Sequence, residues 1–279
     1  MKTIKGIWRF SRVICYTFVC LFQAYTRFKH VDRKEKGRML RYYPTQVLKL
    51  AGVRCSYEGH VPELLHECGL TDTPPACLVL SNHVSWLDIF SLDSQLPSRF
   101  IAKAEIAKWP IFGLIAQQIG TLFINRSSKR AILRINDDIR GALCNCEAVT
   151  IFAEGTTTFG NELLPIKANF IAPACEIGAT VQPVILSYKN KGKPTKQAAF
   201  SGDVTLFGSL WNVVTMEDVE VVVHFLEPIT NTKDLTRHEV AKICEERMRA
   251  KLQEIWGDEY IVANDANAAE ALAKAIANG

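Results

Sequence analysis

Beyond residue 70 the chain alternates short apolar runs with amphipathic stretches, and this alternation limits the possible folds more than any other feature. The apolar runs predict buried strands at 77–81, 99–103, 121–124, 148–152, 180–186 and 219–226. The amphipathic stretches predict helices at 86–95, 110–118, 127–144, 166–177 and 236–256. We therefore predict an α/β fold, a single domain with a central, mostly parallel or mixed sheet flanked by helices.

Positive charge is concentrated at the amino terminus. Residues 1–42 contain eleven Lys and Arg residues but only Asp32 and Glu35 as acidic residues, so this segment carries +9 and the remainder of the chain −5. A basic arm on a mildly acidic body favours an anionic lipid surface as partner and argues against nucleic acid. We divide the chain into a basic, membrane-associated helical element (1–52), a body (53–260) and an Ala-rich tail (261–279).

Residues 7–25 form an aromatic-rich apolar segment whose uninterrupted core, 13–24, has about twelve residues. A membrane span needs about 20, so a span would require Arg9 and Arg12 to reach the interface. A helix lying on an anionic leaflet is the favoured interpretation, and a span or an ordinary buried helix are the alternatives. A secretory signal lacks a suitable cleavage site. A second helix is predicted at 35–50, with a bend at Pro44.

The chain has nine cysteines, an odd number, and no C-x-x-C pair. Several lie in apolar runs, which predicts reduced and mostly buried side chains in a reducing compartment. Cys144 and Cys146 are separated by one residue, a spacing that matches no usual zinc site, and we expect no metal.

The segment Asn82-His83-Val84-Ser85-Trp86-Leu87-Asp88 follows a predicted strand directly. On one straight helix, His83 and Asp88 would point about 140° apart. A contact therefore requires His83 in the loop and Asp88 in the first helical turn. Such a carboxylate would orient the imidazole as a general base. Taken alone, a histidine near an aspartate is more often a structural pair than a catalytic one.

Four further segments carry chemically useful residues in or after predicted strands. Lys103 ends one strand, and Arg126 follows the next, so both could meet an anionic head group. Glu154 and Gly155 lie in the turn of Ile151-Phe152-Ala153-Glu154-Gly155-Thr156-Thr157-Thr158, where the carboxylate could bind a hydroxyl or a cation. Pro183 predicts a strand end or edge. Individually, these residues are more typical of solvated charges, turns and packing than of a binding site.

Together, the ordered motifs H-x4-D, G-x-x-F-I-x-R, F-x-E-G-T and V-x-P-V resemble the glycerolipid acyltransferase family across residues 75–190. The best match is to the bacterial 1-acylglycerol-3-phosphate acyltransferases. The resemblance implies these roles: His83 as general base, Asp88 as its partner, Lys103 and Arg126 as phosphate-binding cations, Glu154, Gly155 and Thr156 as the acceptor-binding loop, and Pro183 in the acyl-side wall.

The resemblance also implies the substrates and the location. The acceptor would be a lyso-lipid hydroxyl, and the donor acyl-CoA or an acyl-carrier protein acting as co-substrate, with no resident cofactor. The protein would sit on the cytoplasmic face of the bacterial inner membrane, peripherally, monotopically or by one amino-terminal span.

Two motif positions depart from the family pattern. Asn125 stands where Asp usually precedes the Arg, and Ala153 stands where the third motif usually has Pro. The run of threonines from Thr156 resembles the branch that acylates other lyso-lipids, including lyso-ornithine lipid. The acceptor therefore stays open between 1-acylglycerol-3-phosphate, lyso-ornithine lipid and another lysophospholipid.

Other classes fit the sequence less well. There is no G-x-S-x-G elbow, nucleotide-binding glycine loop or H-E-x-x-H helix, which argues against a serine hydrolase and the commoner nucleotide and zinc enzymes. A thioester donor is already activated, so positioning and a general base suffice without a covalent intermediate. A non-catalytic lipid-binding protein of the same fold is the remaining alternative.

Overall fold

A mixed β-sheet forms the centre of the protein in the computed structural model, which describes residues 2–59, 76–125, 129–202 and 204–262. The strand order is β1-β8-β6-β2-β5-β3-β4, and the short β7 pairs with β6. The strands are β1 (Val53–Gly59), β2 (Cys77–Ser81), β3 (Arg99–Lys103), β4 (Leu122–Ile124), β5 (Ala148–Phe152), β6 (Thr180–Asn190), β7 (Lys193–Pro194) and β8 (Val219–Phe225).

Five neighbouring strands, β6, β2, β5, β3 and β4, are parallel. β8 runs antiparallel to β6, and β1 is parallel to β8. The predicted mostly parallel or mixed sheet is confirmed. β1 was not predicted because its sequence, VRCSYEG, is largely polar and exposed, as suits a strand at the edge of a sheet.

Helices cover both faces of the sheet, as the α/β pattern predicts. One face packs against α1, α2, α3 and α7, and the other against α5, α6 and α8. The helices are α1 (Lys2–Thr26), α2 (Arg33–Ala51), α3 (Leu87–Gln95), α4 (Phe112–Gln118), α5 (Lys129–Cys144), α6 (Ala172–Ile177), α7 (Leu206–Thr215) and α8 (Arg237–Trp256).

One predicted helix is shorter in the structure, and one helix of the structure was not predicted. Residues 166–177 were predicted as one helix, but α6 occupies only their second half, after a short 3-10 turn. Pro173 explains the late start, because proline fits the first turn of a helix and not its interior. α7 was not predicted. Its first turn is capped by Thr205, whose hydroxyl accepts the backbone N–H of Gly208 at 3.1 Å.

The amino-terminal helices are part of the same core as the sheet. Val13 of α1 and Val47 of α2 belong to the buried cluster that covers one sheet face. The structure gives Arg9 a different role from the one that a membrane span would require, which was to reach the interface. Its guanidinium donates to the carbonyls of Val214 and Met216 at the end of α7, so it holds α1 against the body.

The opposite side of α1 exposes large apolar side chains. Trp211 of α7 contacts Phe10 of α1 edge-on, which places α7 beside this side. No helix in the described part of the chain is long and apolar enough to cross a membrane. We call the following exposed set the apolar face: Ile4, Ile7, Trp8, Phe18, Val19, Phe22 and Tyr25 of α1, with Phe207 and Trp211 of α7.

The eight cysteines within the described ranges are free. Only Cys77 and Cys244 are fully buried, so the prediction of mostly buried cysteines is wrong. Cys15 and Cys144 are exposed, and Cys20, Cys55, Cys146 and Cys175 are half-buried.

Candidate active site

The predicted site residues follow neighbouring strands and meet at one edge of the sheet. His83 comes two residues after β2, and Glu154 two residues after β5, while Lys103 ends β3. Because these strands are parallel, their carboxyl ends lie at the same edge, where open α/β folds bind ligands. Arg126 follows the next strand, β4, but lies outside the described residues.

His83 and Asp88 make the contact that their spacing predicts. His83 lies in the loop and Asp88 in the first turn of α3, with Nδ1 and Oδ2 2.7 Å apart. The His83 side chain keeps 20% of its exposure, whereas that of Asp88 has none. Since Nδ1 faces the carboxylate, Nε2 is the ring nitrogen left to exchange a proton with a substrate.

Asp88 is held by the backbone around it. Oδ2 accepts the N–H groups of Val84 and Ser85 at 2.7 and 2.9 Å in addition to the imidazole. Oδ1 accepts the hydroxyl of Tyr188, from β6. These donors satisfy a fully buried carboxylate, which would otherwise be costly to ionise.

An aromatic ring fixes the plane of the imidazole. Phe152, the last residue of β5, stacks on His83 with ring centres 3.8 Å apart and an angle of 11° between the planes. Phe100 of β3 stacks in turn on Phe152, with ring centres 5.9 Å apart. The ring is thus held by Asp88 along its edge and by Phe152 across its face.

The loop after β5 holds the backbone of His83. Glu154 accepts the N–H of His83 at 2.9 Å and that of Leu164 at 3.0 Å, one with each oxygen. The carbonyl of His83 accepts the N–H of Thr158 at 2.8 Å. Gly155 adopts a φ of 80°, which allows the turn between these contacts.

Glu154 is only 2% exposed. Burial raises its pKa to about 8 and outweighs the two backbone N–H donors, which lower it. The use of both oxygens on the backbone differs from the role expected for Glu154 in binding a hydroxyl or a cation. Contact with an acceptor therefore stays a prediction for this residue, as it does for the half-buried Gly155 and Thr156.

The prediction that Pro183 marks a strand end or edge is wrong. It lies buried in β6, an interior strand between β2 and β8. The strand tolerates it because the regular β8 pairing ends at Phe225, next to this position. Strand alternation puts Pro183 on the face of Val181 and Ile185, opposite to that of Tyr188. Its place in an acyl-side wall stays a prediction.

Sequence reasoning missed two buried polar residues of the site. Tyr188 was not considered because the predicted strand ended at residue 186. Asn82, next to His83, is fully buried, and its amide exchanges hydrogen bonds with both the N–H and the carbonyl of Leu186. A buried amide directly before the histidine was the available signal, since such a group must find partners.

A second histidine, His224, lies on the other face of the sheet. Its Nε2 is 2.9 Å from the hydroxyl of Ser187, and its Nδ1 is 3.2 Å from Glu58. Ser187 is 3% and His224 4% exposed, so a substrate cannot reach these two side chains. Burial lowers the pKa of His224 to about 4, so it is neutral at pH 7. Within the described ranges no group of His, Cys, Asp and Glu residues could hold a metal ion.

Comparison with known proteins agrees with this arrangement. Residues 62–187 match the family model described as Acyltransferase. The chain is 38% identical over 197 residues to the 1-acyl-sn-glycerol-3-phosphate acyltransferase of Neisseria gonorrhoeae, covering 70% of this chain and 73% of that one. It is 39% identical over 175 residues to the lyso-ornithine lipid O-acyltransferase of Pseudomonas aeruginosa, covering 63% and 67%.

Among solved structures, the 1-acyl-sn-glycerophosphate acyltransferase PlsC of Thermotoga maritima has a similar fold. The TM-score is 0.63 at 18% identity, and the match covers 92% of this chain and 98% of that one. A buried carboxylate behind a histidine at the edge of an α/β sheet is an arrangement that general-base enzymes use. Together with the matches, this shows that the chain belongs to the acyltransferase family.

Proposed function

We propose that this acyltransferase moves a fatty acyl group from an acyl thioester to the free hydroxyl of a lyso-lipid, with His83 as general base. The observation that carries the proposal is the 2.7 Å contact between His83 Nδ1 and buried Asp88. This contact fixes the tautomer that leaves a basic Nε2 facing the sheet edge. The same geometry favours catalysis over a purely lipid-binding role.

The reaction then proceeds in two steps. His83 Nε2 takes the hydroxyl proton as the lyso-lipid oxygen bonds to the thioester carbonyl carbon, and Asp88 stabilises the imidazolium. The tetrahedral intermediate collapses with cleavage of the carbon–sulfur bond, and the departing thiolate takes the proton from His83. Atoms and charges balance without a covalent enzyme intermediate, because the thioester is already activated.

We take 1-acylglycerol-3-phosphate as the acceptor, which makes phosphatidic acid the product. A relative named for this substrate is 38% identical over 197 residues, and Lys103 at the sheet edge supplies a cation for the phosphate. Lyso-ornithine lipid is the second candidate, because a relative of that name is 39% identical. The donor is acyl-CoA or an acyl-carrier protein, used as co-substrate.

We also propose that the apolar face rests on the cytoplasmic leaflet of the bacterial inner membrane. Phe22 is 63% exposed and Phe207 66% exposed, although both are large apolar side chains. Positive residues border the face, and Arg12 lies 4.1 Å above the ring centre of Trp8. Exposed aromatics beside cations suit the interface of an anionic membrane, where the lyso-lipid acceptor resides.

A substrate survey tests the proposal. The purified protein is offered one acyl-CoA with lysophosphatidic acid, lyso-ornithine lipid or a neutral lysophospholipid, and the acylated products are measured by mass spectrometry. We expect phosphatidic acid as the main product. A preference for lyso-ornithine lipid would overturn the acceptor assignment, and the absence of acylation with acyl-CoA and with acyl-carrier protein would overturn the reaction.

A further inference from the structure

Tyr188 joins the centre of the sheet to the proposed catalytic pair. It lies in β6, 100 residues along the chain from Asp88, and its side chain is 2% exposed. Its hydroxyl donates to Oδ1 of Asp88. A tyrosine hydroxyl inside a core is expensive to bury without a partner, and here the partner is the carboxylate behind His83.

The two oxygens of Asp88 have different surroundings. Oδ2 accepts from His83, Val84 and Ser85, all within five residues of Asp88 along the chain. Within the described part of the chain, Oδ1 accepts from Tyr188. Donors on both oxygens fix the rotation of the carboxylate about its Cβ–Cγ bond. Without Tyr188, Oδ1 would be a buried, unpaired charged atom, and the group could turn away from His83.

We propose that Tyr188 is a positioning residue for the reaction. It holds the carboxylate of Asp88 in the plane that His83 needs, and its hydroxyl dipole offsets part of the carboxylate's negative charge. This inference rests on the proposed function, because it assigns Tyr188 a role through the general base.

Tyr188 donates throughout the working pH range. Burial, followed by the neighbouring charge of Asp88, holds the pKa of the phenol well above its usual value. The hydroxyl therefore stays protonated and its dipole keeps one direction. A serine or a water at this place could rotate, whereas the tyrosine ring is fixed in the packed core around it.

The consequence for His83 has a definite sign. Removing the hydroxyl leaves Asp88 more negative as seen from the imidazole, so the protonated imidazole is stabilised and the acidic limb of the kcat/KM profile moves to higher pH. Removing the charge of Asp88 itself has the opposite effect, and the limb moves to lower pH.

The test compares pH profiles of acyl transfer for the wild type and for Tyr188→Phe, Asp88→Asn and Tyr57→Phe. Tyr57 is half exposed on β1, so its variant loses the same oxygen from a surface position. For Tyr188→Phe we expect kcat to fall about tenfold, both KM values to change less than twofold, and the acidic limb to move to higher pH. For Asp88→Asn we expect the acidic limb to move to lower pH. For Tyr57→Phe we expect kcat, KM and the limb to match those of the wild type.

This inference is overturned if Tyr188→Phe keeps both the kcat of the wild type and the wild-type position of the acidic limb. The same would hold if the variant changed KM alone, because that result places Tyr188 on substrate binding. His83→Ala is measured beside it. If His83→Ala is inactive while Tyr188→Phe matches the wild type, only the positioning role fails. If His83→Ala keeps its turnover, the proposed base assignment fails instead.

A second variant covers the case in which Tyr188→Phe does not fold. Site-specific 3-fluorotyrosine at position 188 keeps the ring and the hydroxyl but makes the phenol a stronger donor to Asp88. It offsets more of the carboxylate charge, so we expect the acidic limb at lower pH than in the wild type. A limb that stays in place, or that moves to higher pH, contradicts the inference.

Discussion

The carboxyl group of Glu154 accepts a hydrogen bond from the backbone N–H of His83 at 2.9 Å, although the two residues are 71 positions apart. The contact ties the loop after β5 to the loop after β2. The E-G-T segment therefore has a structural role in the site, because its glutamate fixes the backbone of the histidine in the H-x4-D segment. The acceptor can still bind against this loop without touching Glu154.

We expect Glu154→Gln to lower kcat about tenfold and to leave the KM for the acceptor unchanged. Its amide NH2 cannot accept one of the two backbone N–H groups, which leaves a buried donor unpaired at a cost of about 1–3 kcal/mol. Steady-state kinetics and thermal unfolding measure both effects. Glu162→Gln, a half-buried residue close in sequence, is the control, and we expect it to match the wild type. A raised acceptor KM with normal kcat would show that Glu154 binds the acceptor directly.

Arg9 and Arg12 are one helical turn apart in α1 but have different surroundings. Arg9 donates to the last carbonyls of α7 and packs against Gly52, where a side chain would collide with the guanidinium. We expect Arg9→Ala to lower the free energy of unfolding by about 1–3 kcal/mol, because it leaves these carbonyls without their charged donor. Arg12→Ala should leave the midpoint of thermal unfolding unchanged. Equal stability of the two variants would contradict the docking role of Arg9.

We expect His224 to make the protein less stable in acid. Its pKa is lowered to about 4, first by burial and then by Lys251 and Lys189, against the opposing charges of Glu58 and Glu254. Because the unfolded state takes up the proton near pH 6.5, the stabilising contribution is complete above that pH and is lost as the pH falls toward 4.

This contribution amounts to about 3 kcal/mol at 1.36 kcal/mol for each unit of pKa. Denaturant unfolding between pH 7 and pH 4 measures it. We expect the wild type to lose more stability over this range than His224→Gln, by roughly that amount. Parallel losses in the two proteins would show that His224 does not titrate in this range.

Exposed aromatic residues on α1 should set the affinity for membranes. We expect Phe22→Glu to weaken binding to vesicles of phosphatidylcholine and phosphatidylglycerol by at least about tenfold, because it removes apolar area and adds repulsion. Leu133→Glu is the matched control, since Leu133 is 66% exposed on α5, on the other side of the sheet. Co-sedimentation measures both. Similar binding of the two variants would place the membrane-facing surface elsewhere.

Ionic strength separates the two contributions to this binding. High salt screens the attraction between the basic arm and the anionic lipids but leaves apolar insertion intact. We therefore expect a wild-type fraction that resists high salt and is lost in Phe22→Glu. Complete release of the wild type by salt would show that the aromatic side chains do not insert.

The sequence predicted most of the sheet and the contact between His83 and Asp88 because both depend on local patterns. Strands β2, β3 and β5 have the predicted bounds, since their apolar runs are short and clearly delimited. The five-residue separation of His83 and Asp88 carries enough geometry to place one in the loop and the other in the first helical turn. Parallel strands then bring Lys103 to the same edge.

The contacts that the sequence did not predict are those between distant segments. The fold brings distant partners to three of these side chains: Tyr188, Glu154 and Asn82. The sequence around a buried polar side chain does not show which distant residue will be its partner. The same limit applies to Arg9, whose partners are backbone carbonyls of an unpredicted helix. Periodicity shows which residues are buried but not which buried polar groups meet.

The most direct measurement of the central claim is thiol release from acyl-CoA in the presence of lysophosphatidic acid, comparing His83→Ala with His238→Ala. The second variant removes an imidazole from the exposed start of α8. We expect His83→Ala to lose at least about 100-fold in rate, the scale of general-base catalysis, while its folding and vesicle binding persist and His238→Ala stays at the wild-type rate. Undiminished turnover by folded His83→Ala would contradict the assignment of His83 as the base.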